Sequence, residues 1–231
     1  EIPGAFQADA IRYEKVKVLR SVRKLDPNSI VYGQYDKGTV AGKAVTGYRD
    51  EPGVADDSGT ETYVAGRIEI DNWRWKGVPF YFRTGKRMSR KLTEVVITFK
   101  KPPVSLFEDA GTTGVQSNAL VIRLQPDEGF ALYFDIKVPS SDQFDLQTLP
   151  LRFNYQDSFA HIPDAYQTLF YDIMTGDQTL FVHADEVEEA WNVFEPVLRA
   201  ELPVYQYQAG SWGPKEADEL LAKNGHNWGV L

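Results

Sequence analysis

Between Thr60 and Tyr155 the apolar residues recur with a period of two, and this limits the possible fold more than any other feature of the chain. The runs Tyr63–Ile70, Val78–Phe82, Val95–Phe99, Leu120–Leu124 and Phe130–Ile136 are rich in β-branched and aromatic residues and are bounded by turn residues. Links at Asp71-Asn72, Gly85 and Pro126-Asp127-Glu128-Gly129 are short enough for antiparallel neighbours, whereas the Lys101 to Gly114 connection is longer. Helical spacing lies on either side of this block. Ahead of it, a helix is predicted from an Asp9 cap to about Leu25, with Asp26-Pro27-Asn28 as its stop, then a strand Ile30–Tyr35 and a Gly-, Asp- and Pro-rich loop from Asp36 to Gly59. Behind it, helices are predicted over Asp164–Thr175, Asp185–Arg199 and Lys215–Lys223. Strands and helices that segregate, with no βαβ alternation, predict an α+β fold: a large, mostly antiparallel sheet with helices packed on one face. At 231 residues and 42% hydrophobic, residues 1–231 can form a single domain, and disorder is ruled out.

Other classes fall away on composition. No run of about 18 apolar residues offers a membrane span, and no apolar core of a signal peptide opens the chain. The absence of cysteine removes disulfides and thiolate chemistry and suits a reducing compartment, so the cytoplasm is expected. A net charge of -8 argues against nucleic acid as a partner. That charge is unevenly spread: Arg12, Lys15, Lys17, Arg20, Arg23 and Lys24 face only Glu14, while Asp172 to Glu201 is strongly acidic. A solvated helix face is the expectation for the early cations. Residue 1 is Glu, and Met88 and Met174 are the only methionines, so removal of an upstream segment is expected.

Candidate chemistry is sparse. Gly38-Thr-Val-Ala-Gly42-Lys43 is one residue short of a phosphate loop, with Ala44 where a magnesium-binding hydroxyl belongs. Gly111-Thr-Thr-Gly114 reads as a turn. His161, His183 and His226 lack metal-ligand spacing, and no triad or metal site is expected. The acid pairs Asp56-Asp57, Glu108-Asp109 and Glu188-Glu189 read as solvated charge. Trp73, Trp75, Tyr81 and Phe82 could stack on a sugar, although core packing is the expectation for aromatics at strand spacing. The segment Arg83-Thr84-Gly85-Lys86-Arg87-Met88-Ser89-Arg90-Lys91 carries five cations and no acid. Two readings fit it equally: Lys86 and Lys91 converging on a dianion such as a phosphorylated metabolite, or a cationic turn that protects a sheet edge.

Eight blocks in order carry a resemblance: Tyr13-Glu-Lys-Val-Lys-Val-Leu19, Tyr32-Gly-Gln-Tyr35, Trp75-Lys-Gly-Val-Pro-Phe80, Arg83-Thr-Gly-Lys86, Leu120-Val-Ile-Arg-Leu-Gln-Pro126, Asp164-Ala-Tyr166, Asp185-Glu-Val-Glu-Glu-Ala-Trp191 and Gly210-Ser-Trp-Gly-Pro214. With these the chain resembles the C-terminal domain of the glucose-6-phosphate dehydrogenase family, in its bacterial type. The resemblance implies an enzyme that oxidises glucose 6-phosphate to the 6-phosphogluconolactone with NADP in the pentose phosphate pathway. It further implies that this domain binds substrate and forms a homodimer or homotetramer through its sheet, while an N-terminal Rossmann domain, absent from this sequence, holds the coenzyme. It places Lys86, Lys91 and Gln125 at the substrate, and Arg123 at a structural NADP that vertebrate members bind. Val96, Tyr133 and Trp212 stand where those members carry cations, so that second site is not expected. The family's Gln-Asn-His-Leu segment with its general base does not occur, and the chain alone is expected to be inactive. The alternatives are a non-catalytic relative acting as an assembly or regulatory surface, and a carbohydrate-binding module using Trp73 and Trp75.

Overall fold

In the computed structural model, which describes residues 2–101, 116–139 and 145–229, the chain divides into two units: residues 1–90 with 165–228, and residues 91–164 with 229–231. The elements run α1 (Ala8–Ser21), β1 (Ile30–Asp36), β2 (Gly38–Val40), β3 (Lys43–Val45), β4 (Tyr63–Ile68), β5 (Phe80–Gly85), β6 (Thr93–Thr98), β7 (Ala119–Gln125), β8 (Gly129–Lys137) and β9 (Leu146–Asn154). They continue with α2 (Tyr155–Ser158), α3 (Ala165–Thr175), α4 (Ala184–Leu198), β10 (Val204–Gln208) and α5 (Lys215–Ala222).

The first unit is built on a four-stranded sheet in the order β10-β1-β4-β5, with β1–β10 parallel and the other pairs antiparallel. The α+β class expected from the sequence holds, but the helices do not keep to one face of this sheet. Period-two alternation sends Ile30, Tyr32, Val64 and Phe82 to one side, where they pack with Val193, Phe194 and Val197 of α4. Val31, Tyr35, Tyr63, Ala65 and Tyr207 point to the other side and pack with Ala217, Leu220 and Leu221 of α5. Both faces of these strands are apolar, so each needs a cover. The second unit is an antiparallel meander, β6-β7-β8-β9. Val121 and Ala119 are buried on one side, while Val95, Ile97, Phe130, Leu132, Leu149 and Leu151 form an exposed apolar face on the other.

Several boundaries moved for identifiable reasons. Asp9 does not cap α1; Gln7 holds that position without a side-chain bond, and Asp9 lies inside the first turn, paired with Arg12. The helix stops before Leu25 because Val22 bridges to Ile70 and the Arg23 amide donates to Glu69 O at 2.9 Å. Strand β5 starts later than expected, since the Val78 amide closes a turn on Trp75 O and the ladder with β4 carries on to Gly85. The expected loop after β1 contains the hairpin β2–β3. Strand β9 carries Pro150, which is tolerated because β9 is an edge strand. The expected features at residues 102–114, including Glu108, Asp109 and the Gly111–Gly114 turn, lie outside the described residues.

The cations of α1 and the segment after it are not simply solvated. Lys15, Arg20 and Lys24 reach Glu186, Glu189 and Glu195 of α4 at 3.5, 2.7 and 3.6 Å. Exposed pairs of this kind contribute little each. Together they match the basic start of the chain to its acidic later segment.

Gln34 is 1% exposed, and both ends of its amide are used. Its Nε2 donates to Ser58 O and Thr60 O, each at 2.9 Å, and its Oε1 accepts from Arg49 Nε at 3.0 Å. One side chain thus ties the long segment before β4 to the centre of the sheet. Gln34→Leu removes the donor to Ser58 O and Thr60 O and one of the two acceptors of Arg49 Nε, which keeps only Ser58 O, and is expected to lower the unfolding free energy by about 2 kcal/mol. Urea denaturation with an unchanged m-value checks this, and a loss below about 0.5 kcal/mol would rule out the tie.

Candidate functional site

Edge strand β5 ends at Gly85, and the cationic turn begins there. Three of its cations are engaged. Arg83 lies between two indoles, its guanidinium carbon 4.8 Å from the ring centre of Trp212 and 4.4 Å from that of Trp228. Arg90 lies 5.7 Å over Trp212. Arg87 donates to Glu51 Oε1 at 3.1 Å, and the same oxygen accepts from the Tyr35 hydroxyl at 3.2 Å. Lys86 is exposed, and among the described residues no carboxylate pairs with it.

The backbone of the turn is held from several sides. The Lys86 amide donates to Thr62 O at 2.9 Å, and the Lys86 carbonyl accepts from the Tyr207 hydroxyl at 2.6 Å. The Arg87 carbonyl accepts from the Gly210 amide at 2.7 Å, and the Ser89 amide donates to Ser211 O at 2.9 Å. Arg87 has φ 51°, a left-handed conformation that costs a residue other than glycine about 1–2 kcal/mol. Burial, above all, raises the Tyr207 phenol's pKa, so it remains a hydrogen-bond donor at neutral pH. Tyr207 reaches the turn by lying across β1 at Gly33, where a Cβ would sit 3.1 Å from its ring and 3.2 Å from Tyr63.

Lys91 opens the second unit, exposed, two residues before β6. Gln125, at the end of β7, pairs with Thr93 and is also exposed, so Lys91 and Gln125 share one end of the second sheet. Arg123 is half-buried with Nη2 3.9 Å from Glu94. That acid competes with any anionic ligand for it.

The remaining candidates resolve variously. Phe82 packs edge-on against Phe194, and Trp75 against Phe80, as core aromatics do. Trp73 departs from the core expectation and is wholly exposed, because it sits in the Asn72–Gly77 turn rather than on a strand. His183 caps α4, accepting from the Asp185 amide at 3.3 Å, and His226 Nδ1 lies 3.0 Å from the Tyr81 hydroxyl. Glu189 pairs with Arg20 rather than standing solvated. Away from the turn, a cavity of about 380 Å³ lies between α1, the end of α3 and the start of α4. Its cations Arg12 and Lys15 are already matched by Asp9 and Glu186, which leaves it no excess positive charge for an anion.

Residues 1–229 match the family model described as "Glucose-6-phosphate dehydrogenase, C-terminal domain". The chain belongs to this family. Glucose-6-phosphate 1-dehydrogenases of Dickeya dadantii and Chlamydia pneumoniae are 44% and 45% identical to it, over 98% and 100% of its length. The chain spans about half of those curated relatives, 48% and 47%. Among solved structures, the Mycobacterium avium glucose-6-phosphate 1-dehydrogenase aligns over the whole chain and 46% of its own, with TM-score 0.82 and 36% identity. A glucose-6-phosphate dehydrogenase in complex with its substrate glucose-6-phosphate aligns over the whole chain and 47% of its own, with TM-score 0.86 and 32% identity. In this glucose-6-phosphate dehydrogenase C-terminal domain, sequence reasoning located the turn but not what holds it. Glu51, Thr62, Tyr207, Gly210 and Ser211 come from distant parts of the chain, and only the Gly210-Ser211 block marked any of them. The guanidinium sandwich between Trp212 and Trp228 should stabilise the domain, so Arg83→Met is expected to cost about 1–2 kcal/mol of unfolding free energy. Equilibrium denaturation checks it, and an unchanged midpoint would show the stack to be energetically idle.

Proposed function

We propose that this chain is the single substrate-binding and dimerisation domain of a glucose-6-phosphate dehydrogenase. The intact cytoplasmic enzyme oxidises D-glucose 6-phosphate to 6-phospho-D-glucono-1,5-lactone with NADP, the entry to the pentose phosphate pathway. The observation that carries this reading is Lys86: an exposed ammonium on a fixed turn, without a carboxylate partner among the described residues, in a family with a relative solved in complex with glucose-6-phosphate. A phosphate dianion would accept charge-assisted hydrogen bonds from such a group. Lys91 and Gln125, at one end of the second sheet, are proposed as further substrate contacts.

NADP does not fit the described residues of this chain. The Gly210–Gly213 turn that joins β10 to α5 has its Gly210, Ser211 and Gly213 amides bonded to Arg87 O, Gln208 O and Ser211 Oγ, so it offers no free amide cradle to a phosphate, and Arg123 faces Glu94. Coenzyme binding and proton abstraction are therefore assigned to other parts of the intact enzyme, and this chain by itself is proposed to be inactive. Its own residues bind and orient the sugar phosphate, which is how distant binding contacts assist a reaction at C1.

In the intact enzyme, Lys86→Ala is expected to raise KM for glucose 6-phosphate at least about tenfold, with a smaller effect on kcat, as loss of one charge-assisted bond implies. Unchanged kinetics would remove Lys86 from the site, and equal use of unphosphorylated glucose would argue against phosphate recognition altogether.

The exposed apolar face of the second sheet supports a homodimer, or a tetramer built from dimers, through that sheet. Leu132→Glu places a charge in its middle and is expected to shift sedimentation from dimer to monomer. A variant that still sediments as the wild type would place the contact elsewhere.

A further inference from the structure

We infer that Tyr207 is a positioning residue for the sugar-phosphate site, acting through the backbone of Lys86 together with the left-handed residue Arg87. This inference rests on the proposed role of Lys86.

Lys86 follows the last ladder pair of β5, where a chain would ordinarily be free to fray. Here both of its backbone polar groups are bonded, the amide to Thr62 O at 2.9 Å and the carbonyl to the Tyr207 hydroxyl at 2.6 Å. The Tyr207 oxygen belongs to a side chain that is 4% exposed, braced by Tyr63 at 5.4 Å and Tyr35 at 6.5 Å between ring centres. Thr62 Oγ1 lies 3.3 Å from the same hydroxyl. A phenol so confined has little rotational freedom to lose, which makes it a rigid pin rather than a flexible contact.

The next residue shows what the pin works against. Arg87 holds φ 51°, and its conformation is fixed by the Gly210 amide on its carbonyl and by Glu51 on its guanidinium. Gly210 (φ 90°) is itself held against β2, where a Cβ would meet Thr39 O at 2.0 Å. Strained backbone that persists only because its surroundings over-determine it is a mark of a site where direction matters. The direction set here is that of the Lys86 side chain. An ammonium on a four-carbon stem loses much rotamer freedom on binding, and fixing its Cα reduces what remains to be ordered.

The test uses the intact enzyme with glucose 6-phosphate as titrant, reading the dissociation constant by calorimetry and KM and kcat by turnover. Tyr207→Phe removes one hydroxyl from a filled pocket and is expected to weaken binding about five- to tenfold, mainly through KM. In a Lys86→Ala background the same change is expected to have less than about a twofold effect, because the pin then has no ammonium to aim. Arg87→Gly, which relieves the left-handed strain, is expected to keep or raise the melting temperature while weakening binding about three- to fivefold. A purely structural Tyr207 would weaken binding equally in both backgrounds, and that result overturns the inference, as does wild-type affinity in Tyr207→Phe. If Lys86→Ala itself binds normally, the assignment of Lys86 fails first and the positioning role with it. If Lys86→Ala weakens binding while Tyr207→Phe does not, only the positioning role falls.

Discussion

The parallel pairing of β1 with β10 is the constraint on which the first unit depends. It joins Tyr32–Asp36 to Val204–Gln208 across more than half the chain. A contact of such long range is entropically expensive to close, and what offsets the cost is burial on both sides of β1. The pairing places Tyr207 where its ring can cross Gly33 to the far edge of the sheet. It also delivers Gly210, Ser211 and Trp212 to the same edge. Without β10, the cationic turn after β5 would lose most of its backbone partners.

Charge is handled in two different ways in this acidic protein. Along α1 and α4, cations and carboxylates are matched pair by pair, which leaves a surface with little field of its own. At the turn after β5, the cations are sorted by role: Arg83 and Arg90 are given to indoles, Arg87 to Glu51, and Lys86 is left facing solvent. Guanidinium groups suit stacking and directional pairing, and an ammonium is a compact, strongly hydrated charge that suits solvent. The residue types at the turn therefore follow their surroundings: guanidiniums where rings or a carboxylate lie beside them, an ammonium where there is solvent.

Much of the fold could be read from the sequence, because β1, β4, β7 and β8 carry unbroken period-two patterns and α3, α4 and α5 carry helical ones. β10 was missed because Val204-Tyr-Gln-Tyr-Gln208 is short and half polar, and only its pairing with β1 makes it a strand. β9 was missed because Pro150 interrupts its pattern. The covering of both sheet faces was hidden because alternation shows that a strand has two sides, not what covers each. At the site, residue type and spacing marked Lys86, since cations around a glycine turn are visible locally. Glu51, Thr62 and Tyr207 were invisible because their roles exist only once the sheet has assembled.

The stacking of Arg83 between Trp212 and Trp228 gives the protein an optical property as well as a structural one. Those indoles lie against a cation three residues upstream of Lys86, on the same continuous stretch of backbone. The emission of an indole depends on the charges beside its ring. The domain thus carries a pair of indoles beside its cationic turn, so that rearrangements of the turn that move Arg83 are expected to register in tryptophan emission without any added label.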